Sequence, residues 1–85
     1  MRDIEEMEVK IKSIIRKICD RDINEMNTNI FIHPVNMSSR ELAYIFLEIE
    51  KELEIDLNEL VEEFKVHTIE ELINITNKLS LSFAE

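Results

Sequence analysis

Two adjacent serines hold the most suggestive chemistry in this sequence. Ser38 is followed three residues later by Glu41, the spacing of a capping box, in which the hydroxyl accepts from the N3 amide and the carboxylate reaches back. With the cap assigned to Ser38, Ser39 has no capping task. Taken from the residues alone, Ser39 is a polar side chain at the start of a helix, and Arg40 is a charged donor beside it.

The other reactive side chains form no constellation. Cys19 is the only cysteine, so neither an intrachain disulfide nor a thiolate cluster can form, and no histidine neighbours it at a clear spacing. It ends an apolar stripe and reads as a small buried hydrophobe. His33 and His67 are too far apart in pattern for a zinc site, so no metal is expected. Asp20, Asp22, Asn24 and Glu25 loosely suggest a calcium loop, but the central glycine such a loop needs is missing. The carboxylates between Glu48 and Glu63 alternate with apolar positions and read as a solvated face. No nucleophile, base and oxyanion donor can be assembled, so an enzyme is not expected. With no glycine in the chain, the phosphate-cradling and dinucleotide-binding loops are excluded as well.

The elements that must position Ser39 can be traced from apolar spacing. Ile4, Met7, Ile11, Ile14, Ile15 and Ile18 recur at three and four residues and predict a helix of about 16 residues with Asp3 as its N-cap. From Asp20 to Met37 the period fails, and DRDINEMNTNIFIHPVNM reads as a long loop. Its apolar residues Ile23, Met26, Ile30, Phe31, Ile32 and Val35 are too many for a solvated linker, so the loop is expected to lie against the core. A packed loop of this length is often functional. Leu42, Ile45, Phe46, Ile49 and Leu53 then mark a second helix ending near Glu54. Asn58 to Phe64 reads as a short helix with Leu60, Val61 and Phe64 inward. Thr68 and Glu71 form a second capping box, opening a last helix with Ile69, Leu72, Ile73, Ile75 and Leu79. Residues 1–3 and the tail from Ser80 are expected to fray, although Leu81 and Phe83 have the character to pack.

Residues 1–85 thus read as one all-α domain: three main helices, one short helix, and a long loop between the first two. Loops so unequal argue against a simple up-down bundle. The formal net charge of −9, with no basic stripe, disfavours nucleic acid and anionic membranes and favours basic protein surfaces. It also favours a monomer. The opening MRDIEEMEVK has no long apolar run and resembles neither signal peptide nor anchor, and a cytoplasmic location is the expectation.

This helix order, together with Phe31-Ile32-His33-Pro34-Val35-Asn36-Met37-Ser38-Ser39-Arg40, resembles the acyl carrier protein family. In that family the pattern is a loop phenylalanine, a leucine, a glycine, a small or apolar residue and Asp-Ser-Leu, the serine carrying 4′-phosphopantetheine. The resemblance aligns Phe31 with the phenylalanine, Val35 with the leucine and Asn36 with the glycine, asparagine being the next-best residue for a left-handed turn. Ser38 takes the aspartate and Ser39 the modified serine. The stretches ELEIDLNEL and VHTIEELINI resemble the family's turn into its third helix and start of its fourth, so that the likeness covers roughly residues 4–79. Ser-Ser-Arg in place of Asp-Ser-Leu is the departure: serine still caps a helix, but Arg40 replaces an apolar docking residue.

The resemblance implies that Ser39 is the attachment site, with Phe31 and Val35 tucked beneath it and Arg40 able to contact the phosphate. A phosphodiester there would sit at the positive end of the helix dipole. It implies a partner-binding face of Arg40, Ala43, Leu47, Glu48 and Lys51 on the outer side of the second helix, with Glu50 and Glu52 flanking and Tyr44 on the same face. The implied partners are a phosphopantetheinyl transferase and acyl- or peptide-processing enzymes with basic docking surfaces. The alternative is a degenerate carrier-like docking module without the arm, serving for instance a peptide-modification system. A third reading, a small helical toxin, antitoxin or regulator, predicts neither the long packed loop nor the short third helix.

Overall fold

The computed structural model describes residues 4–84, with side chains described to Ser80. Four helices follow one another: α1 Ile4–Cys19, α2 Ser39–Leu53, α3 Leu57–Glu63 and α4 Ile69–Ala84. No strand occurs among the described residues. Asp3, expected as the α1 cap, lies outside them, as do the side chains of Leu81 and Phe83.

The apolar stripes meet in one core. Met7, Ile11, Ile14 and Ile15 of α1 bury against Ile45, Phe46, Ile49 and Leu53 of α2 and Ile69, Leu72, Ile73 and Ile75 of α4. Helix α1 packs on both α2 and α4, and α3 closes the gap between those two. Lys17 reaches Glu48 across α1 and α2 at 2.7 Å, and Lys78 reaches Glu63 across α4 and α3 at 2.7 Å.

Helix α2 ends where Glu54 turns left-handed at φ 54° and its amide still donates to Glu50. The short α3 could not stand alone. It is started by two carboxylates, Asp56 accepting from the Asn58 amide at 2.8 Å and Glu50 from the Leu57 amide at 3.3 Å. Helix α3 begins one residue earlier than the spacing suggests, and Val61, expected inward, is exposed: it lies about 100° around the helix from Leu60, which is buried with Phe64 on the inner side. Thr68 caps α4 by accepting from the Glu71 amide. Beyond Ser80, where fraying is expected, α4 continues to Ala84. No Pro or Gly interrupts it, and Ser80 is itself buried.

The connection from Asp20 to Ser38 lies on the core, as its apolar content demands. Ile23, Ile30, Val35 and Met37 are buried in it. Phe31 and Ile32 do not join them, contrary to the reading of Phe31 as an anchor: they are 38 % and 56 % exposed. Backbone bonding accounts for the exchange. The Ile30 amide donates to His67 and its carbonyl accepts from Met37. Tied on both sides, Ile30 takes the core position and the residues after it are carried outward.

Candidate functional site

The region around Ser39 is assembled by three successive constraints. Helix α1 stops at Asp20, which is left-handed at φ 57° and whose amide donates to Arg16. The next residue, half-buried Arg21, donates through its guanidinium to the Val35 carbonyl. The chain then reverses at Asn36, left-handed at φ 49°, whose amide donates to Ile32 at 2.9 Å. Asparagine tolerates this conformation because its short polar side chain can bond locally.

Ser38 is extended, with φ −84° and ψ 160°, and caps α2. Its hydroxyl accepts from the Glu41 amide at 3.1 Å, while a Glu41 carboxylate oxygen accepts from the Ser38 amide at 2.8 Å. Met37 before the cap and Leu42 in the first turn both pack on the core, at the positions of a hydrophobic staple. Ser39 is therefore the first helical residue. It is exposed, and no described residue hydrogen-bonds its hydroxyl. Val35 lies buried behind this turn, and Ile30 supplies the second anchor in place of Phe31.

Arg40, Ala43, Tyr44, Leu47 and Lys51 are all exposed on α2. Glu48 is not free in the same sense. Its carboxylate holds Lys17, and that hydrogen bond, more than the charge alone, keeps Glu48 below the ordinary glutamate range and Lys17 above the ordinary lysine value.

Cys19 is half-buried at the α1 terminus, and burial, reinforced by the negative charge of Glu41, pushes its thiol up to about 11. A thiol so rarely ionised is a poor nucleophile. His67 lies edge-on to Phe31 at 5.4 Å and to Phe64 at 5.2 Å, and Phe64 meets Phe46 at 5.7 Å. His67 thus links the buried pair Phe46 and Phe64 to Phe31, the exposed outer end of this aromatic row. Among the described residues no group of three or more His, Cys, Asp and Glu is placed to hold a metal. No helix among them is long and apolar enough to cross a membrane.

Two surface hollows lie away from Ser39. One of about 670 Å³ opens at the α2–α3 corner over Ile55 and Leu79, rimmed by Glu50, Glu54, Asp56 and Glu59. A second, about 200 Å³, lies between α1 and α2 beside Val9, Ile14 and Leu53. Both sit at the far end of α2, roughly 20 Å along the axis from Ser39 at 1.5 Å per residue.

Two features of this region escape sequence reading. Arg21 carries no pattern that assigns it to Val35, 14 residues away. Ile30 and Phe31 are adjacent apolar residues, and only the backbone bonds decide which one is buried. Comparison of the chain with protein-family models, curated proteins and solved structures gave no match.

Proposed function

We propose that this chain is an acyl or peptidyl carrier that does no chemistry of its own and presents a thioester-linked group on a 4′-phosphopantetheine arm at Ser39. One observation carries the reading: Ser39 is solvent-exposed in the first turn of α2 with its hydroxyl unengaged, while its neighbour Ser38 does all the capping. The packed connection, the left-handed Asn36 and the short α3 support it by agreeing with the resemblance in residue placement.

Loading would be a phosphoryl-group transfer on a partner transferase. The Ser39 oxygen attacks the pantetheine-side phosphorus of coenzyme A, the new ester bond forms, and adenosine 3′,5′-bisphosphate leaves. The serine proton passes to a base on the transferase. The product phosphodiester would lie at the amino end of α2, where exposed amides and the helix dipole favour an anion. Arg40 is adjacent and would supply a further donor. The net charge of −9 steers basic partner enzymes toward the chain.

A second reading, a docking module without the arm, draws on two particulars: Arg40 stands where the carrier pattern has an apolar residue, and Phe31 faces outward. One experiment separates the two. The purified protein and its Ser39→Ala variant are incubated with coenzyme A and several broad-specificity phosphopantetheinyl transferases, then weighed intact. The carrier reading expects one phosphopantetheinyl increment on the parent protein and none on Ser39→Ala. No increment with any transferase, or an equal increment on the variant, overturns it.

A further inference from the structure

From Met26 to Ser39 the sequence carries no Asp, Glu, Lys or Arg, the longest such run in a chain with 19 acidic and 10 basic residues. The fold uses the middle of this run to hold two apolar side chains, Phe31 and Ile32, in water. Backbone bonds fix them there. The Phe31 amide donates to Asn29 Oδ1 at 2.8 Å, and the Ile32 carbonyl accepts from the Asn36 amide at 2.9 Å. Between them and the core, Ile30 is tied to His67 through its amide and to Met37 through its carbonyl. His67, itself exposed, meets the Phe31 ring edge-on.

Four charged residues border the run. Arg21 donates to the Val35 carbonyl, the Glu70 amide donates to the Met26 carbonyl, Lys65 stands two residues before His67, and Arg40 follows Ser39. Phe31 and Ile32 themselves offer only apolar surface, and apolar surface is covered most favourably by an apolar group.

Ser39 is within reach of this patch. The Met37 amide donates to the Ile30 carbonyl at 2.7 Å. Phe31 is one residue from one side of that bond and Ser39 two residues from the other, which keeps their backbones at most about 18 Å apart. A phosphopantetheine arm extends about as far as five residues of chain, roughly 17 Å, before any acyl group is added. The two surface hollows lie farther off, at the other end of α2, and the larger is rimmed by carboxylates. Beneath the turn that delivers Ser39, Ile30 and Val35 are fully packed.

We infer that the group carried on Ser39 is an uncharged aromatic acyl group, which rests on Phe31 and Ile32 outside the helical core. The inference rests on the carrier reading and names its class of cargo. A shallow, exposed patch covers a flat ring on one face, whereas a flexible alkyl chain is ordered only by a channel. A ring set against Phe31 also continues the edge-on row formed by Phe46, Phe64, His67 and Phe31, in a geometry that aromatic pairs prefer.

The test loads the isotopically labelled full chain with phosphopantetheine from coenzyme A, and with amide analogues of benzoyl- and hexanoyl-coenzyme A in which nitrogen replaces the thioester sulfur. Intact mass reports loading, and NMR contacts report where the acyl group lies. The benzoyl form is expected to show contacts from its ring protons to Phe31 and Ile32, which the hexanoyl form lacks. Phe31→Leu, which keeps an apolar side chain and removes the ring, is expected to lower the docked population roughly threefold. No mass gain with any transferase overturns the carrier reading and this inference together. A mass gain with no contact at Phe31 and Ile32, with contacts to core residues such as Ile45 and Ile49, with equal contacts from the hexanoyl chain, or with docking unchanged in Phe31→Leu overturns this inference alone. The carrier reading would then stand, and the patch would be left to a partner protein.

Discussion

The guanidinium of Arg21 donates to the carbonyl of Val35, tying the residue just past α1 to the residue just before the turn that delivers Ser39. The contact is part-buried and spans 14 residues of an otherwise irregular connection. Arg21→Met keeps the side chain's apolar stem and removes the donor. A hydrogen bond from a charged group contributes about 1.5–3 kcal/mol, and loss of this one is expected to cost about 1–2 kcal/mol because Arg21 is only half-buried. Urea unfolding measures the loss, and hydrogen exchange should locate it at Asn36 and Met37 while the α1 amides stay protected. Uniform acceleration across the chain would show that Arg21 has no local role.

Adjacent serines should respond oppositely to the same substitution. Ser38→Ala removes the acceptor for the Glu41 amide and is expected to destabilise the protein by about 1 kcal/mol, the usual value for a lost N-cap. Ser39→Ala removes an exposed hydroxyl with no hydrogen-bond partner among the described residues and is expected to stay within about 0.5 kcal/mol of the parent. Thermal unfolding of the two variants side by side checks the contrast.

Thr76 lies at 0 % exposure in α4, and its hydroxyl has no hydrogen-bond partner among the described residues. A buried hydroxyl without a partner costs about 1–3 kcal/mol. Thr76→Val replaces it with a methyl of similar size, and a stabilisation of about 1 kcal/mol is expected. A raised denaturation midpoint at unchanged slope would confirm it. A loss of stability would show that the hydroxyl finds a partner in solution.

Acid should weaken the join between α1 and α2. The hydrogen bond and charge of Lys17 hold the Glu48 carboxyl below its ordinary value. A carboxyl depressed in the folded state contributes its stabilisation above the ordinary glutamate range and loses it as pH falls through the folded value. Lys17, raised by the same pair, sets the opposite limit: its contribution is present below the ordinary lysine value and fades in strong alkali. Lys17 is exposed and Glu48 only partly buried, so the effect is small and screened by salt. Melting temperatures of the parent and Glu48→Gln should differ slightly at neutral pH and converge in acid. A constant difference across that range would rule out the ion pair as its source.

Much of the architecture could be read from local residue order. The α1 stripe, the Ser38–Glu41 box and the Thr68 cap are set by residues within four positions of one another, and so their spacing alone reports them, whereas the left-handed Asn36 was implied only by the resemblance. The same holds for the exposure of Ser39, which follows once its neighbour is bonded to Glu41. Periodicity could not decide between Ile30 and Phe31. Both are apolar, and the choice falls to bonds with His67 and Met37 that close only when the connection folds onto α4. The outward Val61 has a related reason: α3 is seven residues long, too short for a period to tell whether Leu60 or Val61 shares the inner side with Phe64.

By itself, then, the order of residues determined four helical segments, the Ser38 and Thr68 caps, and a Ser39 with no capping task, because capping and helical burial depend on short-range spacing. Only the tertiary structure decided which loop residues anchor the connection, that Arg21 holds Val35, that Glu48 holds Lys17 of α1, and that Glu50 accepts from the Leu57 amide at the start of α3. Those outcomes depend on partners 7 to 37 residues away, and a side chain meets such partners only after the helices have packed.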